Sequence, residues 1–204
     1  MSNVRRVYVE KKEAYAVKAK ELQEEIKSYL GITSVTGVRV LIRYDVENIS
    51  DEVFEKACKT VFSEPPVDDL YLEQIEIPEN AHVFSVEFLP GQFDQRADSC
   101  EQCIQILLQG ERCRVRTAQI YIISGNMTDA EFQQIQSYLI NPVERRKASL
   151  DKPETLDSNY EIPTEVKTLH GFCDRTKEQL DAFIRKYGLA MDLDAVSYTH
   201  LTLP

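Results

Sequence analysis

The sequence predicts an α+β fold in which two ferredoxin-like strand-helix-strand-helix units form antiparallel sheets with helices on one face. Three observations lead to this prediction. In each half, alternating apolar strands are followed by helices with one apolar stripe. NISDEVF at 48–54 aligns with NMTDAEF at 126–132, at an offset of 78 (128 − 50). Both halves also open on an aromatic strand that ends in Val-Glu and close on Pro-Val-acid, so the units are expected to pack as a pseudo-twofold pair.

Residues 4–78 form the predicted first half. The strand at 38–44 has a period of two, with Val38, Val40, Ile42 and Tyr44 on one face and Arg39 and Arg43 on the other. The predicted elements, in order, are a strand at 4–10, a helix with the buried stripe Tyr15, Ala19, Leu22, Ile26 and Tyr29, the strand at 38–44, a helix from the N-cap Ser50 to Phe62, and a further strand within 69–77.

Residues 82–141 form the predicted second half, and the two halves together make a domain of residues 1–141. The predicted elements, in order, are a strand at 82–88, a helix at about 97–108 capped by Asp98 or Ser99, a strand at 115–123, and a helix from the capping box Thr128-x-x-Glu131 to Ile140.

Residues 142–194 are predicted to be a linker domain. The stretch 142–172 is polar and contains three prolines, so it is expected to lie extended across other surfaces. TKEQLDAFIRKYG at 176–188 predicts a helix with a capping box at Thr176 and Gln179. This helix carries too little apolar surface to stand alone, so part of its apolar face is expected to be left uncovered without a partner.

Composition excludes several classes of partner. The 204 residues carry 24 Lys plus Arg against 34 Asp plus Glu, a net charge of −10, which argues against nucleic acid as a partner. No apolar run is long enough to span a bilayer and the N-terminus lacks an apolar signal segment, so neither a membrane partner nor export is predicted. With five cysteines, an odd number, the thiols are expected to be reduced and the protein cytoplasmic.

A Cys-x-x-Cys occurs in the predicted helix at 97–108. Cys100 and Cys103 share helical spacing with Ile104 and Leu107, so both thiols are predicted to point into the core. The alternative is zinc or thiol chemistry at this pair. Zinc would need two more ligands at suitable spacing, and only Cys113 lies nearby, so no metal site is predicted.

The connection before this helix, LPGQFDQRADS at 89–99, is the candidate contact site. A Pro-Gly turn is followed by Gln92, Asp94, Gln95 and Arg96, which predict either a solvated loop with its own Asp-Arg pair or a contact surface for a ligand or a partner domain. No phosphate-cradling glycine loop and no set of nucleophile, base and orienting group is present in the sequence, so no catalytic residue is predicted.

Long segments of the chain resemble one family of enzymes. VRRVYVEKKEAY, RYDVENISDEVFEKACKTVFSEPPVDD, FLPGQFDQRADSCEQCIQIL, NPVERRKASLDKPETL, PTEVKTLHGF and YGLAMDLD together are similar to the N-terminus of the long, single-chain phosphoribosylformylglycinamidine synthase. The resemblance runs from about residue 4 to 194. It implies a PurS-like duplicated domain, similar to a dimer of the small subunit that some bacteria use, followed by a linker domain.

The resemblance implies an ATP- and glutamine-dependent ligase that converts formylglycinamide ribonucleotide to formylglycinamidine ribonucleotide in purine biosynthesis. In that family the ATP, magnesium, substrate and glutaminase sites lie beyond the part that this chain resembles. The resemblance therefore implies no cofactor and no catalytic residue here, and the downstream synthetase and glutaminase domains as partners. Residues 195–204 depart from the family pattern and are expected to be a non-native tail on a truncated, inactive fragment.

A second class of function stays open. The chain is alternatively a small-molecule-binding regulatory module of ferredoxin-like type, with the loop at 90–98 as its site.

Overall fold

A computed structural model of the protein describes residues 4–108, 113–157 and 168–196. The chain forms two compact units, Met1–Asp157 and Ser158–Pro204. The predicted boundary after residue 141 stays a prediction, but the first compact unit extends 16 residues beyond it (157 − 141).

The first unit is an α+β structure around one open, antiparallel, six-stranded sheet. Its elements in chain order are β1 (Val4–Lys11), α1 (Val17–Ser28), β2 (Val35–Glu47), α2 (Asp51–Thr60), β3 (Asp68–Leu72), β4 (Ala81–Phe88), α3 (Gln95–Leu108), β5 (Arg114–Gly125), α4 (Asp129–Leu139) and β6 (Arg145–Ala148). The strand order is β3-β1-β2-β5-β4-β6, so the long strands β2 and β5 form the centre of the sheet.

All four helices of this unit pack on one face of the sheet. Side chains of α2 and α3 pack against strand residues that include Val9 and Ile42. Side chains of α1 and α4 pack against strand residues that include Val40. Val40 and Ile42 are two positions apart on β2 and therefore point to the same face, which places both clusters on one side. A smaller cluster around Leu41 lies on the opposite face.

The strand registers of the two halves correspond position by position. Val7↔Tyr44 in the β1–β2 pair becomes Phe84↔Tyr121 in the β4–β5 pair, 77 positions later in both strands (84 − 7 and 121 − 44). The same shift carries the β1–β3 register onto the β4–β6 register. The sequence predicts two sheets, but the structure has one continuous sheet, because β2 and β5 pair directly along their whole length.

Residues 149–157, called the strap here, lie on the face of the sheet opposite the helices. Arg6 donates from Nη1 to the carbonyl oxygen of Leu150 at 2.7 Å, and Arg43 donates to that of Ser149 at 2.7 Å. The backbone N–H of Leu156 donates to a carboxylate oxygen of Glu47 at 3.1 Å, and the Leu156 side chain is fully buried. The first part of the predicted linker therefore forms a turn at 142–144, the strand β6 and the strap, which lies across one face of the sheet.

Three details of the sequence prediction are wrong. Tyr15 and Tyr29 are exposed, since α1 begins only at Val17 and ends at Ser28, so the buried stripe consists of Ala19, Leu22 and Ile26. The helix α3 begins at Gln95, and neither Asp98 nor Ser99 is its cap. The strand β6 was not predicted, because RRKA lacks an apolar alternation and pairs only through the backbone edge that β4 offers.

The second unit is described for residues 168–196 and contains one longer helix, α5 (Lys177–Tyr187). Its predicted capping box forms, with the Thr176 and Gln179 side chains each accepting from the other residue's backbone N–H. Leu180 is buried, whereas Tyr187 is 55% exposed, so the apolar face of α5 is partly uncovered. Residues 193–196 form a helical turn, and the rest of the predicted tail lies outside the described residues.

Within the described ranges, every helix is too short or too polar to cross a membrane.

Candidate functional site

A cavity of about 590 Å³ opens on the helix face of the first unit, beside the N-terminus of α3. Its floor is formed by β2, β4 and β5, and its wall by α3 and β6. The polar residues that line it are Tyr44, Glu87, Asp94, Gln95, Arg96, Ser99, Thr117, Gln119 and Arg145, and the apolar ones include Ile42, Val86, Phe88 and Phe93. The volume falls in the range of pockets that hold small molecules.

Asp94 fixes the loop that leads into α3. One carboxylate oxygen accepts from the backbone N–H groups of Arg96 and Ala97, at 3.1 and 3.0 Å, which is the role of a helix N-cap. The other oxygen accepts from the Thr117 hydroxyl on β5 at 2.7 Å. Asp94 is therefore fully engaged, and it ties the start of the helix to the sheet.

Two arginines from separate elements line the cavity. Arg96, in the first turn of α3, donates to the Tyr44 hydroxyl at 3.4 Å. Arg145, at the start of β6, donates to the Gln119 side-chain oxygen at 2.8 Å and stacks on the Phe88 ring, 4.6 Å from its centre. Both guanidinium groups thus contact neutral oxygens, and their positive charges are not cancelled by these partners.

Lys18, in the first turn of α1, belongs to the same electrostatic neighbourhood. Its pKa is lowered, first because burial disfavours the charged ammonium and second because Arg145 and Arg96 repel it. Lys18 is exposed and lies outside the lining of the cavity, so the arginines are the cations that line it.

The predicted contact residues are brought together only in part. Asp94, Gln95 and Arg96 line the cavity, whereas Gln92 is exposed and lies outside its lining. Asp94 contacts the backbone of Arg96, and the Arg96 side chain extends to Tyr44, so the predicted Asp-Arg side-chain pair is replaced by these two contacts.

Sequence reasoning missed the residues of the site that come from distant parts of the chain. Arg145 lay in the predicted linker, and Tyr44, Gln119 and Lys18 were assigned only to strands and a helix. The sequence of β5 contains one signal for this site. Gln119 is a polar residue at a position that faces the helices, between Thr117 and Tyr121.

The two thiols of the Cys-x-x-Cys are not equivalent. Cys100 is buried, as predicted, but Cys103 is exposed. Cys103 is displaced by about 60° round the helix from Cys100, on the side away from Ile104, and so leaves the buried stripe. Burial raises the pKa of Cys100 far above its ordinary value, so this thiol is neutral at physiological pH. A neutral buried thiol beside an exposed one does not favour thiolate chemistry at the pair.

The sequence matches no model of a known protein family, and no curated protein matches it significantly.

Proposed function

We propose that the chain is the N-terminal, non-catalytic part of a phosphoribosylformylglycinamidine synthase, in which it scaffolds the interface between the synthetase and glutaminase domains. The resemblance of long colinear segments suggests this family. The observation that carries the proposal is the correspondence of strand registers between the two halves of the sheet. One shift of 77 residues relates the β1–β2 pairing to the β4–β5 pairing.

This correspondence supports a duplicated, PurS-like domain of ferredoxin-like type. Each half contributes three strands and two helices, and the halves meet at the central β2–β5 pair. The helices also pair across the halves: the ring of Tyr29, which follows α1, lies 5.7 Å from that of Tyr138 of α4 at a tilt of 40°, and α2 packs with α3. Such an arrangement agrees with a first domain that is similar to a dimer of a small subunit.

The strap supports an assembly role. Buried arginines hold residues 149–151 on the sheet face opposite α1, α2, α3 and α4, and we infer that the strap thereby holds the end of the first unit in place. A multidomain ligase that passes ammonia between two active sites needs its domains held in a fixed relative position, because free ammonia is lost to water. We infer that the strap helps to hold the domains in that relative position.

In this proposal the chemistry belongs to other domains of the enzyme. ATP and magnesium would bind in the synthetase domain and glutamine would be hydrolysed in the glutaminase domain. The isolated chain is therefore expected to need no cofactor and to hydrolyse neither ATP nor glutamine.

Reconstitution in trans tests the assembly role. The 204-residue chain and the separately produced synthetase-glutaminase part of a long-form enzyme would each be assayed for glutamine-dependent formation of formylglycinamidine ribonucleotide, alone and mixed. We expect activity only in the mixture, with co-elution of the two pieces on size exclusion. Turnover of ATP or glutamine by the chain alone, or a mixture that neither associates nor gains activity, would refute the proposal.

A strap variant adds a matched control to the reconstitution. Leu156→Ala removes a buried side chain of the strap, whereas Leu150→Ala makes the same change at an exposed position. If the strap holds the end of the first unit in place, Leu156→Ala should reduce the reconstituted activity and Leu150→Ala should not.

The second candidate is a small-molecule-binding regulatory module, and the cavity beside α3 favours it. A calorimetric screen of charged and uncharged metabolites of purine synthesis against the isolated chain tests this candidate. Saturable binding that shifts the resonances of residues 94–97 would support it, and absence of binding across the screen would remove it.

A further inference from the structure

We infer that the cavity beside α3 binds a small molecule through a phosphate group, with Arg96 and Arg145 as the direct ligands. This inference specifies the ligand class of the second candidate function and does not depend on the assembly role. The two arginines come from α3 and β6, far apart in sequence, and both line the same cavity of about 590 Å³.

The carboxylates beside the cavity are already engaged. Asp94 accepts two backbone N–H bonds and the Thr117 hydroxyl. Glu87 pairs with Arg146 at 2.7 Å. Glu87 also lines the cavity, but because cross-strand partners share a face, the side chains of Glu87 and Arg146 point to the opposite face of the sheet from those of Phe88 and Arg145. Asp94 keeps its negative charge but forms no ion pair with Arg96 or Arg145 among the described residues, and the observed partners of the two arginines are neutral groups.

The corresponding position of the first half shows that the fold does not require this free charge. Phe88↔Arg145 in the β4–β6 register corresponds to Lys11↔Asp68 in the β1–β3 register, again 77 positions apart (88 − 11 and 145 − 68). There the two side chains form an ion pair, with Lys11 Nζ 2.7 Å from Asp68 Oδ1. In the second half an aromatic ring and an arginine replace the pair, and the positive charge remains available to a ligand.

Contacts to Tyr44 and Gln119 hold the two arginines in place without neutralising them. Arg145 is fixed by its bond to Gln119, which also accepts from the Tyr121 hydroxyl at 3.0 Å, and by stacking on Phe88. A guanidinium that is oriented in advance loses less side-chain entropy on binding an anion.

The separation of the cations over different elements favours phosphate over carboxylate. A carboxylate offers two coplanar oxygens and suits one guanidinium, whereas a phosphate monoester offers three outward oxygens and close to two negative charges. The apolar part of the ligand would contact Phe93, which lines the cavity and is 69% exposed. A sugar phosphate or a mononucleotide has this combination of groups.

Binding of inorganic phosphate, ribose 5-phosphate and adenosine monophosphate to the isolated chain tests the inference. Affinity would be measured by calorimetry at constant ionic strength, and the contact site by NMR shifts at residues 94–97, 117–119 and 145. We expect saturable binding of the phosphate esters that weakens with added salt, and about tenfold or greater loss of affinity in Arg96→Gln and in Arg145→Gln. Lys56→Gln, which removes an exposed charge on α2, should bind as the parent does.

Several outcomes would overturn the inference. Equal binding of acetate and phosphate, loss of affinity in Lys56→Gln as large as in the arginine variants, or absence of saturation would each do so. Thermal unfolding of each variant identifies a failure to fold. If Arg145→Gln unfolds, two measurements still test the inference: the affinity of Arg96→Gln and the positions of the NMR shifts in the parent chain. Because no partner domain is present in the assay, its outcome is separate from that of the reconstitution.

Discussion

Arg6 and Asp45 form a bidentate ion pair across β1 and β2, with Nε and Nη2 of the arginine 2.5 and 3.0 Å from the two carboxylate oxygens. Both side chains are 3% exposed, and Arg43 Nε lies 3.1 Å from the same carboxylate. The carboxylate thus stabilises two buried arginines, and both of these donate to backbone oxygens of the strap.

Asp45→Ala should destabilise the first unit by about 3–5 kcal/mol, because it leaves two buried guanidinium groups without their anion. The free energy of unfolding in urea measures this loss. Asp51→Ala is a matched control, since Asp51 pairs with Arg5 but is mostly exposed, and its cost should stay below about 1 kcal/mol. Equal costs for the two variants would contradict the assigned role of Asp45.

Leu156→Ala should release the strap. Deletion of a fully buried leucine side chain costs about 2–5 kcal/mol, and the strap has few other apolar anchors with which to compensate. Amide hydrogen exchange should therefore accelerate at residues 149–157 before the central strands exchange. Leu150→Ala, an exposed change in the same segment, should alter the exchange rates little.

The cysteines should differ in reactivity in the folded chain. Iodoacetamide should modify the exposed Cys103 and Cys173 quickly and the buried Cys100 and Cys113 slowly, which peptide mass spectrometry can quantify. Fast modification of both Cys100 and Cys103 would revive the hypothesis of thiol chemistry at the pair.

The buried thiol of Cys113 predicts a loss of stability at high pH. Burial raises its pKa to about 11, from an ordinary value of 9.0, so between these values the unfolded chain ionises and the folded chain does not. The free energy of unfolding is unaffected by this thiol below pH 9 and falls as the pH rises towards 11. Cys113→Ala should weaken that fall, whereas Cys173→Ala should leave it unchanged.

Gly125→Ala should destabilise the end of the central strand pair by about 2–3 kcal/mol. Gly125 has a φ of 141°, and an added Cβ would lie 2.2 Å from the carbonyl oxygen of Ser34. Gly37→Ala is the control on the partner strand, since its Cβ would meet Ser124 at an ordinary 3.9 Å. Thermal unfolding of the two variants should separate them clearly.

Local patterns in the sequence were sufficient for most helices and strands of the first unit. The alternation at 38–44 and 115–123 identified the two central strands, and the capping boxes at Thr128 and Thr176 gave two helix starts to the residue. These features depend on neighbours within about four residues, which is the range that periodicity and capping describe.

The remaining features depend on contacts between distant residues. The strand β6 forms because β4 has a free edge, and Leu156 is buried because the strap lies on the sheet. The cavity likewise joins Arg96 to Arg145, which are 49 positions apart (145 − 96). Within the site, only the adjacent residues Asp94, Gln95 and Arg96, at the start of α3, could be predicted from the sequence.

The direct pairing of β2 with β5 also bears on how the molecule would respond to a break in its backbone. A nick in the connection between β3 and β4 would leave two pieces, each with its longest strand unsatisfied along one side. Because these strands are antiparallel, each piece could recombine with the other or with a copy of itself. The covalent link would then act mainly to favour pairing of β2 with β5 over pairing of either strand with a second copy of itself.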